Sequence, residues 1–425
     1  MSTPGSGPRP ARPAGLGAYV TVTAAYWAFM LSDGALRMLA LLHFHEEGFT
    51  ATQLAWLFLL YEVAGIVTNL SAGWLAARFG LTRTLYAGLG LQIVALALLA
   101  RMDPGWGVTA SVAYVMGVQG LSGVAKDLSK MSSKSAVKLL APEGALFGWV
   151  AALTGSKNAV KGLGFGLGAL LLGVLGFEGA LWAMAGVLAA ILAGCAALMP
   201  PGLPRGSAKA KFREVFSKDP NVNRLSLARV FLFAARDAWF VVGVPVWFAS
   251  ALSDGTPEGA REAFFITGGF MSAWVIAYGA VQAAAPKLLR AKARGLAEVS
   301  GLAWGWAAGL AAVLAPMAAA AVVFGEGAGF AVPLALGLMG FGAVFAVNSS
   351  LHSYLILAFS SAGRVTMDVG FYYMSNAAGR LLGTVASGVS YQLGGLAGCL
   401  GCAALLAGLS ALAARRLRAG DSAVG

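Results

Sequence analysis

Long apolar runs of about 20 to 25 residues, set apart by short polar or basic loops, recur along this chain and leave few folds open to it. A run of that length crosses about 30 Å of hydrocarbon as a helix. With no water inside a bilayer, every backbone polar group must pair within its own segment, which selects helices. Charged residues are 11% of the chain and hydrophobic residues 58%, against roughly 25% charged in a soluble domain. The expectation is therefore an all-α membrane protein. Twelve spans are expected near 16–42, 52–76, 84–101, 106–126, 147–176, 179–199, 226–251, 263–285, 297–320, 329–356, 367–392 and 395–414. An even number puts both termini on one side. Loops on that side carry most of the 30 Lys and Arg residues, whereas the opposite loops carry only Arg101 and Arg261, so the termini are expected in the cytoplasm. The net charge of +12 thus reads as membrane anchoring, with no nucleic-acid partner expected. Residues 1–15 read as a cytoplasmic tail without a removable signal peptide. Residues 16–200 read as an N-terminal six-helix bundle, 201–224 as a basic cytoplasmic linker, 225–414 as a C-terminal six-helix bundle and 415–425 as a second tail.

The charges inside the spans carry the functional reading, because each costs roughly 2.5–3.5 kcal/mol at the centre of a bilayer. Asp33 and Arg37 stand four residues apart in the first span, on one helical face with Tyr26, and are expected to offset each other. Glu62 lies in the second span. Lys126, Lys130 and Lys134 repeat every four residues beside Asp127, a basic stripe expected at the cytoplasmic mouth that would gather anions. Lys157 and Lys161 share a face of the fifth span, next to Asn158, with no acid at helical spacing. Arg229, Arg236 and Asp237 lie in the seventh, where Asp237 aligns with Asp33 and Phe233 with Phe29, a faint repeat. Two halves related by an axis along the membrane normal would set those helices opposite each other across a central cavity, so Arg37 and Arg236 are expected to face one ligand. Tyr373, Asn376 and Arg380 share a face of the eleventh span, the counterpart of the fifth.

Arg37, Arg236, Arg380, Lys157 and Lys161 against Asp33, Glu62 and Asp237 is an excess of positive charge. It predicts a small polyanion as substrate, with Arg giving bidentate contacts to phosphate-like oxygens and Lys acting as a point charge. The carboxylates would hold the arginines in the empty site and could carry coupling protons. No Walker loop, nucleophile elbow, haem ligand set or zinc spacing occurs, so neither an enzyme nor a cofactor or metal site is expected. His43, His45, Glu46 and Glu47 read as interfacial polar residues, and Cys195, Cys399 and Cys402 as packing residues. Asn348 and His352 in the tenth span leave lining and interhelical roles equally open.

The loop Gly73-Trp74-Leu75-Ala76-Ala77-Arg78-Phe79-Gly80-Leu81-Thr82-Arg83 resembles the loop between the second and third helices of the major facilitator superfamily. Gly73, Arg78, Gly80 and Arg83 match its pattern, and Ala77 stands where the family has an acid. The resemblance implies two pseudo-symmetric six-helix bundles and a role for those four residues in changing conformation. The strings Ser32-Asp33-Gly34-Ala35-Leu36-Arg37, Ala125-Lys126-Asp127-Leu128-Ser129-Lys130, Thr154-Gly155-Ser156-Lys157-Asn158 and Ala235-Arg236-Asp237-Ala238-Trp239 are similar to those of the ArsJ organoarsenical exporters. That likeness implies efflux of 1-arseno-3-phosphoglycerate across a bacterial inner membrane. Glyceraldehyde-3-phosphate dehydrogenase would be the metabolic partner that makes this substrate from arsenate. An organophosphate/phosphate exchanger fits the cationic cavity equally well.

Overall fold

The computed structural model describes residues 16–79, 81–140, 146–199, 217, 219–289, 294–359 and 365–417. Every regular element among them is helical: α1 (Leu16–Glu46), α2 (Ala51–Leu57), α3 (Leu59–Phe79), α4 (Leu81–Ala100), α5 (Val108–Leu140), α6 (Leu146–Leu198), α7 (Pro220–Phe240), α8 (Gly243–Ala251), α9 (Pro257–Leu289), α10 (Leu296–Phe324), a 3₁₀ turn (Ala328–Phe330), α11 (Ala331–Phe359) and α12 (Val365–Ala414). Nine stretches among the described residues are long and apolar enough to cross a membrane.

The boundaries differ from the expected spans where side chains rather than hydropathy decide them. The expected second span is split at Phe58 into α2 and α3; α2 opens with a reciprocal cap in which Thr50 and Gln53 bond each other's backbone. The seventh begins earlier, at Pro220 behind an Asp219 cap, and breaks after Phe240. There the Ser387 hydroxyl accepts from the freed Val242 and Gly243 N–H groups, at 3.2 and 3.1 Å. A broken helix at membrane depth survives when neighbouring side chains take up its backbone groups in this way. α6 and α12 are continuous runs bent at Gly176 (φ 69°) and at Gly394–Gly395 (φ 59° at Gly395), close to where the expected spans divide. Past the second bend, the Glu326 carboxylate accepts from the Leu396 and Ala397 N–H groups, satisfying the donors of a new helix start.

Packing falls mainly within α1–α6 and within α7–α12, and the two sets meet where α6 lies on α9 and where α2 and α3 lie on α12. Trp239, Phe240, Trp274, Phe341 and Phe345 form an aromatic core in the second set, with Trp239 edge-to-face on three of the rings and Phe341 stacked on Phe345. Apolar residues such as Val322, Val323, Phe324 and Leu393 stay largely exposed, as a lipid-facing surface requires. Lipid tails are as apolar as leucine, so the helices are held by close packing and interhelical hydrogen bonds.

Candidate functional site

Small residues bring the first charged helices together. A methyl group on Gly34 of α1 would sit 2.6 Å from the carbonyl oxygen of Lys161 on α6, and one on Gly164 would sit 2.5 Å from that of Leu31. Only glycines allow this approach. It carries Lys161 Nζ to 2.8 Å from Asp33 Oδ2, while the Tyr61 hydroxyl of α3 donates to Oδ1 at 2.5 Å. Lys161 is therefore not without an acid: its partner comes from another helix. Asp33 in turn is not offset by Arg37 one turn away.

Arg37 instead reaches across to α3. Its Nη2 lies 2.8 Å from Glu62 Oε1, and its guanidinium rests over the rings of Phe58 and Tyr61 at 5.0 and 5.1 Å. Glu62 is fully buried, and its second oxygen accepts from Arg380 of α12. One carboxylate thus holds two arginines, one from each side of the contact between the two sets of helices.

On α7, Arg236 Nε donates to Asp237 at 2.6 Å and lies over Phe233 at 4.7 Å and Phe345 at 5.4 Å. Asp237 is close enough to act electrostatically on both Arg37 and Arg380, so the α1, α7 and α12 charges belong to one cluster. Lys126 joins it. Expected at the mouth, Lys126 is instead buried, with Nζ 3.8 Å from the centre of the Tyr61 ring, within electrostatic range of Arg380, Asp127, Glu62 and Asp33. It makes no salt bridge among the described residues. Asp127 is taken by Lys130 at 2.7 Å and by the Thr68 hydroxyl, and Lys130 also donates to Asn69 at 2.7 Å. The basic stripe is thus drawn inward: α5 packs against α3, and its polar face meets the polar face of that helix.

Each central carboxylate is already engaged, Asp33 by Lys161, Glu62 by Arg37 and Arg380, and Asp237 by Arg236. With Lys126 added, the cluster holds more cations than anions in a low-dielectric setting. At an effective dielectric of 20, two unit charges 4 Å apart interact by about 4 kcal/mol. Negative charge brought among these groups would offset the excess.

The other expected residues lie around the cluster. Tyr26 is buried, and its hydroxyl has no partner among the described residues. Asn158 donates to Gln282 of α9 at 3.1 Å, and Lys157 beside it is half-buried. Asn376 accepts from Arg229 at 2.5 Å, whereas Tyr373 is 42% exposed. Arg83 is exposed at the start of α4. Gly80 and the side chains of Arg78 and Lys134 lie outside the described residues, and Gly73 is described only as part of the α3 backbone. His43 stacks on Phe177 with ring centres 3.8 Å apart, and His45 bonds Ser250 at 3.0 Å, so the two rings take separate partners. Sequence reasoning passed over Tyr61, Thr68, Asn69 and Gln282 as site residues. Polar side chains in apolar helices are the only trace they leave, and that trace does not separate a site from an interhelical bond.

The family model described as Major Facilitator Superfamily matches residues 22–383. A search of the curated proteins finds no match.

Proposed function

Since this chain belongs to the major facilitator superfamily, a family of membrane transporters, we propose that it is a secondary active exporter of a small organic polyanion. The substrate we assign is the organoarsenical 1-arseno-3-phosphoglycerate. The observation that carries this reading is the buried Glu62 carboxylate clamped between Arg37 and Arg380 beside Lys126, which makes no salt bridge among the described residues. Glu62 stands where a substrate oxyanion would, and an arriving anion competes with it for both guanidiniums. Two arginines give bidentate recognition of phosphate-like oxygens, and a lysine adds a point charge. The likeness of the Asp33–Arg37 and Arg236–Asp237 strings to the ArsJ exporters narrows the polyanion to the arsenylated sugar acid.

In this reading the protein spans a bacterial inner membrane twelve times, as two bundles at 16–200 and 225–414 joined by the cytoplasmic linker 201–224. Both termini are cytoplasmic. Rocking of one bundle against the other exposes the clamp alternately to each side. Glyceraldehyde-3-phosphate dehydrogenase supplies the substrate from arsenate and glyceraldehyde 3-phosphate, so export gives arsenate resistance.

Everted membrane vesicles test this. Accumulation of arsenic that needs dehydrogenase, arsenate and glyceraldehyde 3-phosphate together is the expected result. Uptake of phosphoglycerate or inorganic phosphate alone replaces it with the organophosphate/phosphate exchanger. Arg37→Ala and Arg236→Ala are each expected to abolish arsenate resistance at normal membrane abundance. Resistance retained in both would remove the central cluster as the site.

A further inference from the structure

A second polar cluster lies in the corner between α7, α11 and α12, outside the Glu62 clamp. Its centre is Arg229, which is 4% exposed and sits inside an otherwise apolar stretch. Unlike the other buried arginines it faces no carboxylate among the described residues. Its Nε donates to the Asn376 side chain at 2.5 Å and its Nη1 to the Ser349 carbonyl at 3.0 Å. The guanidinium packs on the rings of Phe233 and Tyr372, at 4.3 and 4.8 Å. All of these partners are neutral, so no negative charge meets this guanidinium among the described residues.

The groups next to it are unsatisfied. Asn348 precedes the Ser349 that Arg229 bonds, and neither its amide nitrogen nor its amide oxygen has a partner among the described residues. One turn on, His352 has both ring nitrogens buried without a partner among the described residues and lies within electrostatic range of Arg229. Buried polar side chains are nearly always paired, with protein, water or ligand. An amide and an imidazole without described partners, one turn apart on α11 and flanking the carbonyl that holds a guanidinium with no described counter-charge, point to a missing acceptor with negative charge. An oxyanion takes hydrogen bonds from all three.

The corner is also in register with the clamp. Arg229 and Arg236 both lie over the ring of Phe233, at 4.3 and 4.7 Å, so their guanidinium carbons are no farther apart than the sum of those distances. Asn376, which holds Arg229, precedes by one helical turn the Arg380 that holds Glu62. We propose that Arg229, Asn348 and His352 form a second oxyanion subsite. It receives the far end of a two-headed anion whose near end sits at Arg37 and Arg380. This inference rests on the polyanion-transport reading and adds a selection rule: the protein discriminates anions with a charged group at each end from those with one. The subsite is closed in this structure, so filling it needs α7 and α11 to shift within their own set of helices as well as the rocking of the two bundles.

The test uses purified full-length protein in detergent micelles, with binding of 3-phosphoglycerate, charged at both ends, and glycerol 3-phosphate, charged at one, measured by calorimetry. The parent protein is expected to prefer the first by tenfold or more. In Arg229→Gln and, separately, in Asn348→Leu that ratio is expected to fall toward one. The Asn348 variant, which changes no charge, carries the test if Arg229→Gln does not fold. A ratio near one in the parent, or a ratio retained in a folded variant, overturns the subsite while leaving the polyanion reading standing; a corner that holds only ordered water gives that retained ratio. Failure of the parent to bind either compound likewise overturns the subsite, and the vesicle assay decides the polyanion reading separately.

Discussion

The most consequential single residue is Glu62, because a fully buried carboxylate holds two arginines that would otherwise repel each other. Removing one partner of a buried ion pair typically costs about 3–5 kcal/mol, since the charge left behind has no compensation. Glu62→Gln is therefore expected to lower the thermal unfolding temperature in detergent. An added phosphate-bearing anion should recover part of the loss by taking the vacated place between Arg37 and Arg380. A variant as stable as the parent, or one that anions do not rescue, would argue against the clamp. Lys126 shows how far a residue's role depends on its neighbours. Its spacing with Lys130 and Lys134 describes a solvated stripe, and its burial over Tyr61 makes it a cation inside the cluster.

At the scale of elements, the seam between α1 and α6 decides which charges meet. Gly34 and Gly164 let the two backbones touch, and only at that separation does Lys161 reach Asp33. Gly164→Val would press on the Leu31 carbonyl and on Gly34. Overpacking of this kind costs about 1–3 kcal/mol, and here it should also pull Lys161 from Asp33. The expected outcome is a membrane-inserted protein with reduced thermal stability and lost resistance, whereas Ala169→Gly, farther along the same helix, should leave resistance near the parent level. Cell survival on arsenate and unfolding in detergent read the two effects. The bend at Gly395 is a second such device, because Glu326 caps the new helix start and a side chain at residue 395 would collide with that carboxylate.

At the scale of the whole molecule, the two sets of helices close on each other at one end, where His45 of α1 bonds Ser250 of α8 and Gly388 of α12 lies against Ala51 and Ala55 of α2. Alternating access requires that end to open. A short bismaleimide cross-link between cysteines at His45→Cys and Ser250→Cys is expected to stop transport, and the unlinked double variant to retain it. Undiminished transport by the cross-linked protein would exclude rocking about the centre. The membrane-spanning helical class was legible because lipid imposes the same demand on every residue of a span, and hydropathy records that demand locally. The excess of buried positive charge was legible for the same reason: Arg37, Lys161, Arg236 and Arg380 are each conspicuous in an apolar run. Which acid meets which base was not legible. Asp33 with Lys161 and Glu62 with Arg37 and Arg380 join helices far apart in the chain, and helical spacing speaks only for neighbours along one helix. The sequence by itself determined a polytopic helical protein with costly cations in its spans. Only the tertiary structure decided that Glu62 gathers two of them and that Arg229, Asn348 and His352 share a corner, because those encounters are set by how closely glycine-lined helices approach.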